Sequence, residues 1–585
     1  MYNWDLSDLY NGLDDKKYKS DVEKIKKEVD ALSDFANNLK EVSVESVKAI
    51  LEKRNNLNTL IRKVVSFLSL NESVDSANNE YKNQMQRIMQ TVSKTAEPQA
   101  KIDSHLASIK DLDELAQKDD YIKEHKFYIQ EIIDDSKYQL SAKEEGLISK
   151  LNLNGVNTWQ NLYNYLTSTF KLDYKDKKVT ITEIRNMAYS GDVDVRKSAY
   201  EAELAGYKGI ESSIAYSLNS IKGHVNTMVD LRGYDSALDM TLKDSRMEEE
   251  TLEAMFAAID DSLDKFRQFL KHKAKLLGHD NGLPFYDLFA PVVKSDKEYS
   301  IEDAQKMIKE SFATFNDDLL KMVETAFKDN WIDYLPKENK RGGAFCSNLP
   351  MINQSRVMSN FGHDLGGVVT LAHELGHAYH GSRIQDHHML NTSYVMPIAE
   401  TASNFCELIL SEAALKTASK NEKIQLLENM ISDATQVVVD IYSRFLFEKS
   451  VFEQREDNLL LADDLKALMK DAQLKTYGDG LDKDFLHPYM WACKGHYYSS
   501  GRNYYNFPYA YGGLFAKGLY AKYLEEGESF VEKYDQMLTN TTVANCEDIG
   551  KMVDVDVTKK EFWKESLSMI EKMIDDFIEL TSEGL

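Results

Sequence analysis

His373-Glu374-Leu375-Gly376-His377 lies within a stretch that predicts a helix over about residues 365–380. Residues four apart on a helix share one face, so the two imidazoles can hold one zinc ion. The glutamate between them can reach a water molecule at that ion. Because the pattern also arises by chance, the alternative is a surface helix with two solvated histidines.

The residues around this motif favour a buried helix. Asp364 is a suitable N-cap and Gly381 a suitable C-cap. Most of the residues between them are apolar or small, and a helix that is apolar on all sides lies inside a protein. A charged glutamate buried there needs a partner, which a metal site provides.

A catalytic zinc site needs a third protein ligand. Arg383 stands where the longer pattern H-E-x-x-H-x-x-G-x-x-H requires a histidine, so that pattern is excluded. Downstream, Pro397 suits the start of another helix and places Glu400 in its first turn, where the helix dipole favours an ionised carboxylate. We therefore predict Glu400 as the third ligand and Glu407 as an outer carboxylate that orients a ligand histidine. The alternative for both is an ordinary helix carboxylate.

Three nearby histidines compete with these ligands, namely His380, His387 and His388. Two histidines and one glutamate already complete a catalytic zinc site, so we expect a solvated or outer role for each of the three.

Longer segments resemble a known family. Residues 362–380, which contain the motif, and residues 398–403 are similar to the signature of the M3 family of zinc oligopeptidases. Residues 4–10 and residues 285–291 resemble the oligoendopeptidase F branch of that family. Because the similar segments run from residue 4 to beyond residue 510, the resemblance covers essentially the whole chain.

The resemblance implies a third group of site residues. In the family, a histidine followed by clustered tyrosines lines the catalytic cleft and stabilises the oxyanion, which indicates His496, Tyr505 and Tyr509. Phe507 stands where the family usually has a tyrosine, so the sequence leaves open which hydroxyl acts. Tyrosines also pack in cores, and an aromatic core segment is the alternative.

Residues 341–346 resemble the short strand at the edge of the family's active-site sheet. The resemblance implies that Gly342, Gly343, Ala344 and Phe345 bind an extended peptide by strand addition. A plain turn at the two glycines is the alternative.

The rest of the sequence predicts a mainly α-helical protein. Amphipathic patterns fill residues 17–170 and resume after a short predicted strand pair near residues 170–174 and 178–181. We predict an N-terminal helical region, residues 1–195, that forms one channel wall, and a catalytic domain, residues 196–585. The resemblance implies a helical ellipsoid with a deep substrate channel and a small β-sheet beside the H-E-x-x-H helix.

Composition limits the partners and the compartment. The formal net charge of −25 argues against nucleic acid and against an anionic membrane. No apolar run approaches the roughly 18 residues of a membrane span, and no signal-peptide pattern begins the sequence. The four cysteines are scattered and are expected to be reduced, so we expect a cytoplasmic protein.

Together these features predict a zinc-dependent oligoendopeptidase that cleaves internal bonds of short unstructured peptides. One Zn2+ per chain is expected on His373, His377 and Glu400, with Glu374 as general base and then general acid. The alternatives are a helical zinc carboxypeptidase and a non-catalytic peptide-binding protein on the same scaffold. Cleavage preference and oligomeric state do not follow from the sequence.

Overall fold

The computed structural model describes residues 2–293 and 297–582, and most of these residues are α-helical. The first part of the chain forms α1 (Lys16–Asn37), α2 (Val44–Val74), α3 (Asn79–Val92), α4 (Ala96–Ala107), α5 (Leu112–Lys118), α6 (Asp120–Glu124), α7 (Lys126–Asp135), α8 (Ala142–Asn154) and α9 (Val156–Thr169).

Local sequence explains where these helices begin and which face they bury. Ser43 caps α2 in a reciprocal pair with Ser46, and Asp15 accepts the backbone N–H of Lys17 at the start of α1. In α1 the apolar residues Ile25, Val29 and the others of one stripe lie at spacings of three and four and are buried.

A β-hairpin follows α9, in agreement with the predicted strand pair. Its strands are β1 (Lys171–Tyr174) and β2 (Lys177–Thr180), which pair antiparallel with Leu172 opposite Val179.

The second part of the chain is also helical. It forms α10 (Ile181–Asn186), α11 (Val193–Tyr207), α12 (Glu211–Arg232), α13 (Ala237–Asp244), α14 (Glu249–Leu276), α15 (Ile301–Phe312), α16 (Asp317–Lys328), α17 (Leu365–Ile384), α18 (Met396–Ala399), α19 (Thr401–Thr417), α20 (Lys420–Thr435), α21 (Ile441–Arg455), α22 (Ala462–Tyr477), α23 (Met490–Cys493), α24 (Phe507–Glu526), α25 (Glu528–Asn540), α26 (Cys546–Met552) and α27 (Lys560–Ser582). A π-helical turn, Gln436–Asp440, joins α20 to α21.

A small three-stranded sheet packs against α17, as predicted. Its strands are β3 (Ile332–Asp333), β4 (Phe345–Leu349) and β5 (Gln354–Met358). The central strand β5 runs parallel to β3 and antiparallel to β4. Since β4 pairs only on one side within the described residues, its other side is an open sheet edge next to the H-E-x-x-H helix.

Two hydrophobic cores divide the described chain. One contains apolar residues from Leu6 to Ile129 together with Leu349 of β4, and the other runs from Val156 to Phe577. Residues 156–195 therefore pack with the second core. The division into an N-terminal region, residues 1–195, and a catalytic domain, residues 196–585, stays a prediction.

The first residues of the chain pack against the three-stranded sheet. Arg356 of β5 donates from Nε to the carbonyl of Asp5 over 2.7 Å, and Trp4 packs edge-on against Phe345 with ring centroids 6.4 Å apart. The segment that resembles the oligoendopeptidase F opening is thus a support for the edge strand.

No helix in the described part of the chain is long and apolar enough to cross a membrane. All four cysteines are free thiols.

Candidate active site

Helix α17 carries the motif and extends further than the sequence predicted. The Oδ1 atom of Asp364 accepts the backbone N–H of Gly367 over 2.7 Å, so the predicted N-cap is confirmed. The predicted C-cap at Gly381 is wrong, because the helix continues to Ile384. Gly381 instead serves packing: a Cβ there would lie 2.3 Å from the side chain of Asn348 on the edge strand.

A glycine inside the motif allows α17 to cross α19 at very close range. A Cβ on Gly376 would lie 2.6 Å from both the carbonyl oxygen of Ala402 and the Cα of Ser403. No other residue type fits without moving one backbone away from the other. The crossing brings the start of α19 against the histidine face of α17.

Glu400 stands at the break between two helices. The short helix α18 ends at Ala399, Glu400 has φ −93° and ψ 3°, and α19 begins at Thr401. The sequence predicted one helix with Glu400 in its first turn, and the structure divides that helix at Glu400. The break turns the carboxylate toward the two histidines.

The three predicted ligands converge. Glu400 Oε2 lies 3.2 Å from His373 Nε2 and 3.4 Å from His377 Nε2. One potential ligand atom from each of the three residues lies within 4.8 Å of the others. Two imidazoles and one carboxylate form the donor set of many catalytic zinc sites, so these residues fit a single metal ion.

Glu407 supports this cluster from the outer side. Its Oε2 lies 3.2 Å from His373 Nδ1, which leaves Nε2 of that ring facing Glu400. Ser403 donates from its hydroxyl to Glu400 Oε2 over 2.8 Å. These contacts fix the orientation of one histidine and one carboxylate before any ion is bound.

Opposite charges hold the cluster together. Burial opposes the charged form of His373, but hydrogen bonds to Glu400 and Glu407 outweigh it and raise the pKa of His373 to about 10. Burial also opposes ionisation of Glu400, and the two histidines outweigh it and lower the pKa of Glu400. The carboxylate is therefore ionised, as a metal ligand must be.

Glu374 lies beside the cluster with an unused oxygen. The residue is only 6% exposed, and its Oε2 has no hydrogen-bond partner in the described structure. The backbone N–H of Cys346, on the edge strand, donates to the same carboxylate. Burial raises the pKa of Glu374. A buried carboxylate with a free oxygen is costly unless something else approaches it.

The competing histidines lie outside the cluster. His380 is fully buried and stacks on Tyr394, and its Nε2 is 2.7 Å from the hydroxyl of Thr541. Burial lowers the pKa of His380 to about 3, so this ring is neutral. His387 contacts the carbonyl of Thr539, and His388 faces Glu124.

The predicted tyrosines approach the cluster from the side of Glu400. Tyr505 and Tyr509 meet edge to face with centroids 5.7 Å apart. Burial raises the pKa of Tyr509, and neighbouring Tyr505 and the charge of Glu400 add to the effect. A Cβ on Gly512, in the same helix α24, would lie 3.1 Å from Glu400 Cβ, so a glycine permits this approach.

A buried ion pair holds the loop before these tyrosines. Lys222 Nζ lies 2.7 Å from Glu448 Oε1 and 3.1 Å from Asn503 Oδ1, and both charged side chains are at most 1% exposed. The same Glu448 accepts the backbone N–H of Tyr504 and the amide of Asn506. Every oxygen of Glu448 is used, and the loop is fixed between α12 and α21.

The structure does not bring His496 into contact with the three ligands within the described residues. Its ring lies against Tyr497, and its buried Nε2 has no hydrogen-bond partner. Burial and the positive charge of Arg444 lower the pKa of His496 to about 3.

The predicted edge residues surround the start of β4. Gly342 and Gly343 precede the strand, and a Cβ on either would meet nothing within 4 Å. Ala344 lines a cavity that also contains His373 and Glu374, and Phe345 is the first strand residue. The strand therefore begins four residues after Arg341, the first residue of the predicted segment.

The cavity beside the three predicted ligands, here called the site cavity, has a volume of about 530 Å³. Its lining includes the predicted residues Ala344, His373, Glu374 and Glu407, and residues that the sequence did not single out as site residues: Tyr189, Lys273, Phe289, Thr370, Glu428 and Asp433.

One signal could have identified part of this lining. Phe289 belongs to the segment 285–291 that resembled the family. The buried pair Lys273–Glu428, 2.9 Å apart, clamps that segment, since Glu428 also accepts the backbone N–H of Val292.

Comparisons with known proteins agree with this geometry. The family model for peptidase family M3 matches residues 186–569, and the model named Oligopeptidase F matches residues 107–171. Oligopeptidase PepF of Bacillus subtilis is 23% identical and covers 99% of this chain and 87% of its own length. An oligoendopeptidase F homolog of Lactococcus lactis is 24% identical and covers 100% of this chain and 98% of its own length.

Solved structures show the same fold. Oligoendopeptidase-F from Enterococcus faecium matches with a TM-score of 0.72 at 18% identity, covering 97% of this chain and 99% of that one. PZ peptidase A with an inhibitor matches with a TM-score of 0.73 at 16% identity, covering 95% of this chain and 97% of that one. The chain therefore belongs to peptidase family M3 and is a metalloendopeptidase of the oligoendopeptidase F type.

Proposed function

We propose that the chain is a zinc-dependent oligoendopeptidase that cleaves internal bonds of short unstructured peptides. The observation that carries the proposal is the convergence of His373, His377 and Glu400 beside the unpaired oxygen of Glu374. Three protein ligands leave one position of a four-coordinate zinc ion for water or substrate, which is typical of catalytic sites. One ion per chain is expected.

Glu374 is the proposed proton carrier. When bound, zinc would lower the pKa of a water molecule and polarise the scissile carbonyl group. Glu374 accepts a proton from the attacking water and later donates it to the leaving amine. Its pKa is raised by burial, which suits a carboxylate that must both accept and donate near neutral pH.

The tyrosine hydroxyls are proposed to stabilise the oxyanion. Tyr509 lies near enough to Glu400 for the carboxylate to affect its pKa, and Tyr505 packs against it. A hydroxyl aimed at developing negative charge typically contributes about 10²- to 10³-fold in rate. His496 enters the proposal through the family resemblance, with its free Nε2 as the donor atom.

The peptide is proposed to bind as an added strand along the open edge of β4, at Gly342, Gly343, Ala344 and Phe345. The backbone link from Cys346 to Glu374 supports this arrangement, because it places the edge next to the proton carrier. Residues 1–195 are proposed as one wall of the channel and residues 196–585 as the catalytic domain. Tyr189, which lines the site cavity, supports that role for the first region.

The proposal includes a cytoplasmic location. The four free thiols fit a reducing compartment.

Glu374→Gln tests the chemistry. With a quenched fluorescent peptide, we expect hydrolysis to fall by about 10³-fold or more while zinc, measured by mass spectrometry of the metal, stays at one per chain. Glu324→Gln, a matched change on the exposed face of α16, is the control. A Glu374→Gln protein that cleaves at close to the parent rate would show that the assignment is wrong.

The position of the cleaved bond distinguishes an endopeptidase from a carboxypeptidase. Mass spectrometry of products from a mixed peptide library should show internal cuts. Stepwise loss of single C-terminal residues would contradict the endopeptidase assignment.

A further inference from the structure

A second cavity continues from the site cavity. The two share Tyr189, Phe289, Ser432 and Asp433 in their linings, and the second, here called the adjoining cavity, has a volume of about 350 Å³. The two cavities are therefore adjacent, and we expect a peptide in the site cavity to extend toward the adjoining cavity. The proposed chemistry uses none of the residues that line the adjoining cavity alone.

Charged side chains around the adjoining cavity are mostly paired. Arg185 lies 2.6 Å from Glu203, and Arg196 lies 2.7 Å from the buried Asp287. Arg444, which lies close behind the cavity, forms an ion pair with Asp440. These pairs leave little net charge of their own.

Lys494 is different, because its ammonium group has no hydrogen bond and no ion pair among residues 2–293 and 297–582. The residue joins α23 to the following helical turn, is half-buried and lines the adjoining cavity. Burial and the charges of Arg444 and Arg185 lower the pKa of Lys494, and the charge of Asp440 offsets them only in part. A buried charge is expensive unless a partner of opposite sign approaches it.

Asp433, at the junction of the two cavities, does not provide that partner. Its carboxylate interacts with Glu407, Lys517 and His373, all on the side of the metal ligands. The positive charge of Lys494 in the lining of the adjoining cavity therefore stays available to a ligand.

We infer that Lys494 binds a carboxylate of the peptide substrate, and that this contact helps to select which peptides are cleaved. The inference rests on the proposed peptidase function and adds a specificity residue to it. The carboxylate is either the C-terminus of a short peptide or an acidic side chain near that end. A terminal carboxylate would also link cleavage to peptide length, because only a short peptide places its end there.

Three peptides that differ only near the C-terminus distinguish a terminal carboxylate from an acidic side chain. One has a free C-terminal carboxylate, the second is amidated, and the third is amidated with glutamine replaced by glutamate near the end. We expect the parent enzyme to cleave one of the two carboxylate-bearing peptides with a kcat/KM about 10- to 100-fold above that of the neutral amide. Preference for the free acid assigns the terminal carboxylate, and preference for the glutamate peptide assigns the side chain.

Lys494→Met should remove this preference and leave kcat/KM for the neutral amide unchanged, while Lys494→Arg should keep most of it. Lys483→Met removes the same charge from an exposed position nearby and is the matched control. A preference that survives Lys494→Met, or equal rates for all three peptides on the parent enzyme, would overturn the inference.

A binding measurement tests carboxylate binding by Lys494 independently of peptide hydrolysis. Titration calorimetry of the three peptides against Glu374→Gln, with and without Lys494→Met, gives the same comparison from dissociation constants. If the parent enzyme cleaves none of the peptides, the proposed function fails, and the calorimetric ratio still decides whether Lys494 binds carboxylates.

Discussion

Two polar clusters contact α24 or its N-cap. The Lys222–Glu448 cluster binds the N-cap residue Asn506, and the cluster of His373, His377 and Glu400 contacts the helix at Gly512. Their hydrogen-bonding atoms are satisfied to different extents. In the Lys222–Glu448 cluster each carboxylate oxygen accepts at least one hydrogen bond. In the metal cluster, Glu374 keeps a buried oxygen without a partner, and Glu400 directs one oxygen at two imidazoles. The first cluster is complete within the protein and fixes a loop. The second leaves a buried oxygen without a partner among the described residues, which is what we expect of the proposed metal and substrate site.

Breaking the complete cluster should have the largest effect on stability. Glu448→Gln leaves the Lys222 ammonium buried without a charged partner, and we expect unfolding to become easier by about 3–5 kcal/mol. Urea unfolding of the metal-free proteins gives the measurement. Asp14→Asn, at the exposed pair with Lys19, is the control and should leave the transition unchanged. An unchanged unfolding midpoint for Glu448→Gln would show that the pair is not needed for the fold.

Separating the helices of the incomplete cluster should affect both stability and metal binding. In Gly376→Ala the new Cβ must push α17 and α19 apart, at a cost of about 1–3 kcal/mol, and Glu400 moves away from the histidines. Zinc affinity, measured by competition with a chelator, should fall along with stability. Gly366→Ala, whose Cβ would approach nothing closer than 3.5 Å, is the control on the same helix. Parental zinc affinity in Gly376→Ala would contradict the close-crossing argument.

Removing the Glu407 carboxylate should weaken metal binding more than it weakens the fold. Glu407→Gln loses the carboxylate that orients His373, and we expect zinc affinity to fall about 10- to 100-fold. The free energy of unfolding of the metal-free protein should fall by about 1–2 kcal/mol, less than in Glu448→Gln, because the charged His373 ring loses one of its two carboxylate partners. A large loss of stability with normal zinc affinity would place Glu407 with the structural cluster instead.

The sequence predicted what depends on spacing along one helix. His373, Glu374 and His377 follow from a four-residue interval, and their helix and its N-cap at Asp364 are as expected. The end of that helix was missed because Gly381 packs against Asn348, a contact between residues 33 positions apart that local rules cannot reveal.

Contacts between residues still farther apart in sequence could not be predicted either, because local rules do not reveal them. Lys222 and Glu448 are 226 residues apart, and neither stands in a recognisable motif. Lys494 could not be identified either, because what distinguishes it is that its ammonium group has no partner in space in the described part of the chain. The family resemblance supplied Tyr505 and Tyr509, and it indicated His496, which the structure leaves apart from the ligands.

The support of β4 by the first residues of the chain has a consequence for biosynthesis. Trp4 and Asp5 are translated long before Phe345 and Arg356, which they contact, and the tyrosine loop follows about 150 residues later still. A growing chain therefore has no finished edge strand until more than half of it has been made, and no tyrosine loop until most of it has. We therefore expect the order of synthesis to keep an unfinished chain inactive toward neighbouring nascent chains.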